Sequence, residues 1–319
     1  MQTTIIIQRM SPQHPIHKKP KIGLILGSGS ARGWSHIGVI QALEEAGIKP
    51  DIICGTSIGA LVGAAYAAGE IDVFTKWVLD LKIGNVLSFM DVHLNGGFLK
   101  GEKIMNFFKD HFMDRNIEDL NLPFGSVATS LTTGNEIWIR EGSTVDAVRA
   151  SLALPGLFTP FIRDQEILVD GGLVNPVPVS LARAMGADFL IAVDLNSDLI
   201  GRYFYNPPAP AFSFGNNVPE WLRKLQQNFG KPANLQEGTP LPLKTPSLLD
   251  VIASSVNIMQ AQITRSRMAG EPPHIIIAPQ LAHLSLLDFH RAAEAIEEGR
   301  RAVEICLPAL DKLKKHKKL

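Results

Sequence analysis

Ser57 stands between two glycines in Gly55-Thr56-Ser57-Ile58-Gly59, after an apolar strand-like run, Ile52-Ile53-Cys54, and before a small-residue helical run, Ala60 to Ala68. A serine on such a strand-to-helix turn reads as a nucleophile elbow. Glycines at 55 and 59 let the chain turn sharply and let the helix lie close to the sheet. The hydroxyl is then exposed over a helix N-terminus, where backbone N–H groups favour an anion. The same pattern also serves phosphate sites and close packing, so its meaning rests on the surrounding residues.

About thirty residues upstream, Lys21 to Leu26 reads as a buried parallel strand, Gly27-Ser28-Gly29-Ser30-Ala31-Arg32-Gly33 as a turn, and Trp34 to Ala46 as an amphipathic helix. The glycines at 27, 29 and 33 are spaced one residue too long for the dinucleotide fingerprint, and no ribose-binding acid is evident after the next strand. A nucleotide cradle is therefore the weaker reading. The stronger one is an oxyanion hole, in which N–H groups converge on a carbonyl oxygen as it becomes negative. A third landmark, Glu166-Ile167-Leu168-Val169-Asp170-Gly171-Gly172, is a short apolar strand ending in a carboxylate and two glycines. At the carboxyl end of a parallel strand, Asp170 would face the crevice where ligands bind and could meet Ser57 there. Taken alone, it would be a turn aspartate capping local N–H groups.

The order, spacing and flanks of these three motifs resemble the patatin-like phospholipase family. The likeness extends through Gly33-Trp34-Ser35-His36-Ile37-Gly38-Val39, through Ser151 to Pro160, and through Val174-Asn175-Pro176-Val177-Pro178. It is nearest to the small stand-alone bacterial RssA-type branch and runs from about Lys21 to the helix start at Asp288 to Ala292. The resemblance implies a Ser-Asp dyad with Ser57 as nucleophile and Asp170 as base. It also implies an oxyanion hole from the loop at Gly29, Ser30 and Arg32 with the N–H after the nucleophile, that of Ile58. Ser28 and Ser30 occupy positions where the family commonly has glycine; serine can still supply backbone donors if the local dihedrals do not demand glycine.

In the implied reaction, Asp170 takes the Ser57 proton as the oxygen attacks an ester carbonyl, then protonates the departing alcohol. Water completes hydrolysis; an alcohol acceptor would give acyl transfer instead. The mechanistic rival is a Ser-Asp-His triad drawing on His274, His283 or His290. Each has a milder reading: His274 begins an apolar run, His283 lies in a loop, and His290 follows an N-cap at Asp288. His36, in the first turn of a helix, reads as a packing or capping residue. A functional rival is a non-catalytic patatin-like module that binds lipid or protein.

The 319 residues, 45% hydrophobic, suffice for one large α/β domain. Alternating strands and helices specify a three-layer α/β/α sandwich around a mainly parallel sheet. We expect a flexible tail over residues 1–19, a catalytic domain over 20–306 and a basic end over 307–319. Within the domain, residues 197–246 hold eight of the 21 prolines together with clustered aromatics, and read as an insertion: a packed surface loop, an acyl-pocket flap, a membrane-touching loop or a subunit contact.

A formal net charge of +0 removes bulk electrostatics as a reason to expect nucleic-acid binding. No zinc-type Cys/His spacing appears, and neither a metal nor a cofactor is expected. Cys54 and Cys306 read as reduced thiols of a cytoplasmic protein. There is no signal-peptide core and no apolar span of bilayer length. The lysines from Lys312 to Lys318 suit a solvated helix end and also offer a peripheral contact to anionic headgroups. The expected partner is an acyl-ester lipid, with a homo-oligomer left open.

Overall fold

The computed structural model describes residues 19–82, 84, 108–109, 115–155, 157–199 and 248–317. The tail up to residue 18 and the part of the proline-rich insertion over 200–246 lie outside the described residues. In chain order the elements are β1 (Ile22–Leu26), α1 (Ser35–Glu45), β2 (Ile52–Thr56), α2 (Ile58–Ala67), α3 (Ile71–Leu79), β3 (Phe124–Ser130), β4 (Glu136–Ile139), α4 (Thr144–Ser151), β5 (Phe161–Arg163), β6 (Glu166–Asp170), α5 (Val179–Ala184), β7 (Phe189–Val193), α6 (Leu248–Gly270), β8 (Ile275–Ile277) and α7 (Ala292–Lys317).

The strands form one eight-stranded sheet in the order β5-β6-β3-β2-β1-β7-β8, with β4 also paired to β3. Strands β3, β2, β1, β7 and β8 are mutually parallel. They carry no charged residue and are buried nearly throughout, because both faces of the sheet are covered. Side chains alternate between faces. Leu24, Leu26, Ile53, Ile191 and Val193 pack with α1, α2 and α7. Ile25, Ile52, Cys54, Leu190 and Ala192 pack with α5 on the opposite side. The expected α/β/α sandwich is the observed architecture.

One strand departs from expectation. β6, which ends in Asp170, runs antiparallel to β3 and does not belong to the parallel set. The cause is the two-residue hairpin that precedes it: Asp164 and Gln165 both take positive φ, 52° and 66°, the geometry that reverses a chain between paired strands. The consequence is useful. Thr56 at the end of β2 pairs with Val127, and Asp170 at the end of β6 pairs with Ala128, the next position along β3. Two carboxyl ends thus meet beside one strand, and Ser57 arrives next to a residue 113 positions away.

Helix α1 is clamped against α7 by an approach that only a glycine allows. A Cβ on Gly38 would lie 1.8 Å from the Ile296 carbonyl oxygen, a backbone atom that cannot swing aside. In an isolated helix Gly38→Ala would be favoured by roughly 1 kcal/mol. Here it should lower stability by roughly 1–3 kcal/mol, because overpacking outweighs propensity. Urea denaturation checks the sign; a variant as stable as the parent would show that α7 is free to shift.

Candidate active site

Ser57 follows β2 directly and adopts φ 56°, ψ −124°, a backbone conformation that L residues avoid. Such a residue costs on the order of 1–3 kcal/mol and persists only where its surroundings hold it. Gly59 lets the first turn of α2 rest on β1, since a Cβ there would lie 2.1 Å from the Leu26 carbonyl oxygen. The Ser57 carbonyl accepts from the N–H groups of Ala60 and Leu61, tying the elbow into the helix. Its own N–H donates to Ser151 Oγ at 2.8 Å, and the Ser151 hydroxyl donates onward to the Val127 carbonyl at 2.6 Å. The end of α4 therefore braces the elbow against β3.

Asp170 is buried, with 1% of its surface exposed. Its Oδ2 accepts from the Ser57 hydroxyl at 2.5 Å, and its Oδ1 from the Gly172 N–H at 2.7 Å. Its backbone is fixed too: the N–H donates to the Ala153 carbonyl at 3.0 Å, and the carbonyl accepts from Thr129 Oγ1 at 2.8 Å. Burial pushes the carboxyl up to about 6, opposed by the two hydrogen bonds from Ser57 and Gly172, which favour the anion.

The glycine/serine loop faces the same point. Ser30 takes φ 52°, and its hydroxyl donates to the Leu286 carbonyl at 2.6 Å, which also accepts from the Ala31 N–H at 3.1 Å. The Ser28 N–H donates to the Pro176 carbonyl at 2.8 Å. Among the described residues, no acceptor takes the N–H groups of Gly29 or Ser30. Ile58 opens α2, where the helix supplies no partner for its N–H. The Arg32 guanidinium is turned to the loop's scaffold: Nε donates to the Gly29 carbonyl at 3.1 Å, and Nη2 donates to Asn196 Oδ1 at 3.3 Å and Asn257 Oδ1 at 3.2 Å.

Ser57, Asp170, Gly29, Ser30, Arg32 and Ile58 thus line a single cavity of about 40 Å³. Its other wall is apolar: Leu152, Leu154, Leu157, Phe158, Val256 and Phe289. Among the described residues, no histidine lines it. His274 accepts the Leu190 N–H on Nδ1 and stacks on Phe189, while His283 meets Glu294 at 2.6 Å. His36 is fully buried, and burial lowers its pKa to about 4. Being neutral, it donates from Nε2 to the Gly27 carbonyl at 2.8 Å. Among the described residues, no group of three or more metal-ligating side chains clusters, and no helix is long and apolar enough to cross a membrane.

Four participants were not singled out from sequence: Ser151, Asn196, Asn257 and Gln260. The last two had a visible signal. Asn257, Gln260, Ala261 and Thr264 recur at helical spacing and form the buried face of α6, so that face is polar in a helix otherwise rich in Val, Ile and Met.

Removing the brace should be costly. Ser151→Ala leaves the Ser57 N–H and the Val127 carbonyl unpaired in the interior, a loss of roughly 1–3 kcal/mol. We expect a lower melting temperature together with slower reaction of Ser57 with a fluorophosphonate. Unchanged values for both would mean that the elbow holds its shape without Ser151.

The sequence pattern of the patatin-like phospholipases matches residues 24–183. An uncharacterised NTE family protein of Mycobacterium tuberculosis strain H37Rv is 32% identical, with 92% of each chain aligned. Patatin-like phospholipase domain-containing protein 6 of Homo sapiens is 38% identical over 55% of this chain and 13% of its own length. Protein 7 of the same name in Rattus norvegicus is 37% identical over 55% of this chain and 14% of its own. These relatives support a hydrolase of this general class and single out no branch within the family. The chain belongs to the patatin-like phospholipase family.

Proposed function

We propose that this protein is a serine acyl-ester hydrolase of the phospholipase or lysophospholipase type, working through a Ser57–Asp170 dyad and an acyl-serine intermediate. The observation that carries the proposal is the 2.5 Å hydrogen bond from Ser57 Oγ to a buried carboxylate, inside a cavity with one polar and one apolar wall. A structural role for the same pair would give no reason to place a strained serine there.

In this reading the ester's acyl chain lies along Leu152, Leu154, Leu157 and Phe158. Ser57 Oγ attacks the carbonyl carbon as its proton passes to Asp170 Oδ2. The carbonyl oxygen becomes an oxyanion and is met by the N–H groups of Gly29, Ser30 and Ile58; each such donor is worth on the order of 3 kcal/mol in serine hydrolases. Collapse breaks the bond to the alcohol oxygen, which leaves with the proton from Asp170. Water then loses a proton to Asp170 and attacks the acyl-Ser57 carbonyl, and the carboxylic acid departs as Ser57 regains its proton. Arg32 shapes the loop that carries two of the donors. No step calls for a metal or a cofactor.

The proposal extends to setting. Cys54 and Cys306 are free thiols, which suits a reducing compartment and a cytoplasmic protein that meets lipid at its surface. Placement in the stand-alone RssA-type branch belongs to the proposal as well, resting on the motif flanks.

Two measurements test this reading. Ser57→Ala should abolish fluorophosphonate labelling and ester cleavage with little change in melting temperature, and Asp170→Asn should slow cleavage by about 100-fold or more. Undiminished cleavage by Ser57→Ala would refute the dyad, and a protein labelled at Ser57 that passes acyl groups only to alcohols would be a transferase. The second measurement is pH dependence. Asp170 acts as an anion, so kcat/KM should be level above its pKa of about 6 and fall about tenfold per unit below it. A profile still flat at pH 4 would remove Asp170 from the role of base.

A further inference from the structure

Gln260 lies on α6, outside the stretch matched to the family pattern, yet lines the cavity with Ser57 and Asp170. It is 6% exposed, and neighbouring hydrogen bonds fix which way its amide points. The Arg32 guanidinium can only donate, so the Asn196 oxygen must face it at 3.3 Å. Asn196 Nδ2 is thereby turned toward Gln260 and donates to Oε1 at 3.3 Å. The Ser28 hydroxyl donates to the same Oε1 at 3.0 Å. With Oε1 held by two donors, Nε2 is directed the other way, toward the turn after Asp170. A Cβ built on Gly172 would lie 2.5 Å from Nε2 and 2.9 Å from Asp170 Oδ1, so the amide sits beside the outer oxygen of the carboxylate. Among the described residues, no acceptor is hydrogen-bonded to Nε2.

We propose that Gln260 is a specificity-determining residue that donates from Nε2 to an oxygen on the alcohol half of the bound ester. The inference rests on the dyad reading above, because that reading places the departing alcohol next to Asp170, which protonates it. The cavity then divides its labour. Leu152, Leu154, Leu157 and Phe158 take the acyl chain, the Gly29 and Ser30 N–H groups take the carbonyl oxygen, and Gln260 recognises an alcohol that carries a hydrogen-bond acceptor near the scissile bond. A glycerol-derived alcohol has such an oxygen and a plain alkyl alcohol does not. Binding the plain ester leaves a buried donor without a partner, and this is what makes the donor selective.

The test compares two esters of one acyl chain, mono-octanoyl glycerol and propyl octanoate, using the full chain and two variants. Gln260→Met removes donor and acceptor together. Gln260→Glu keeps the acceptor that Ser28 and Asn196 use while removing the N–H, so it serves if the Met variant does not fold. We expect the wild type to favour the glycerol ester by about tenfold in kcat/KM, and both variants to bring that ratio close to one. Because both esters meet the same dyad, any general damage cancels in the ratio. Equal losses on the two esters would overturn the inference and reduce Gln260 to a brace for the Ser28 loop; so would a wild type indifferent to the alcohol. Fluorophosphonate labelling at Ser57 without cleavage of either ester would overturn it while sparing the dyad. Neither labelling nor cleavage would bring down the hydrolase reading itself.

Discussion

Ser57 cannot hold its backbone conformation by its own preferences. At φ 56° and ψ −124° it is a non-glycine residue in a region that costs on the order of 1–3 kcal/mol, and the surrounding architecture is built to keep it there. Glycine at 59 lets α2 start directly against β1, and the Ser57 carbonyl is committed to the helix. The Ser57 N–H is committed to Ser151, which is itself bonded to β3. Three elements thus press on one peptide. The strain turns the side chain out of the line of both strand and helix, so that the hydroxyl meets Asp170 while the following N–H opens the helix. A relaxed serine in a continuous strand could do one of these but not both.

The carboxylate is tuned by the same enclosure. An exposed aspartate, with a pKa of about 4, is a weak base for a serine hydroxyl; burial raises its basicity toward working pH. Burial pushes the carboxyl up and the hydrogen bonds from Ser57 and Gly172 oppose it, leaving the group at about 6, still ionised at neutrality. In the proposed dyad, this carboxylate takes the place of a bridging imidazole. His274, His283 and His290 do not line the cavity, and His36, the nearest in sequence to the loop, is neutral and supports the Gly27 carbonyl.

The pattern of what could be read from sequence follows from how local each determinant is. The elbow, the loop and the Asp-Gly-Gly turn are written in consecutive residues, and strand–helix alternation is written in periodicity, so both the landmarks and the sandwich were legible. The direction of β6 was not, because it depends on a hairpin at Asp164 and Gln165 whose residues are not the glycine or asparagine that announce such turns. Ser151 was part of a recognised segment but carried no sign of its role, since its partners, Ser57 and Val127, are 94 and 24 positions away. Arg32 shows the limit from the other side. A charged residue in an oxyanion loop invites a direct role, and only the positions of Asn196 and Asn257 reveal a guanidinium turned to the scaffold.

The site also divides along the chain. Every atom assigned to bond making and proton transfer comes from the stretch matched to the family pattern, residues 24–183. Further groups that hold the loop and line the cavity come afterwards: Asn196 beyond β7, Asn257 and Gln260 on α6, and Leu286 and Phe289 before α7. Loop residues link the halves: Ser28 reaches Gln260, Ser30 reaches Leu286, and Arg32 reaches Asn196 and Asn257. A glycine at either serine position would supply the same backbone N–H without reaching across. In the proposed reaction the first half sets the kind of chemistry, because it holds the proposed nucleophile, base and donors. In that reading both halves shape which esters reach the dyad: Leu152, Leu154, Leu157 and Phe158 of the first half line the wall together with Val256, Gln260 and Phe289 of the second, and substitutions in the second leave the Ser57–Asp170 contact in place.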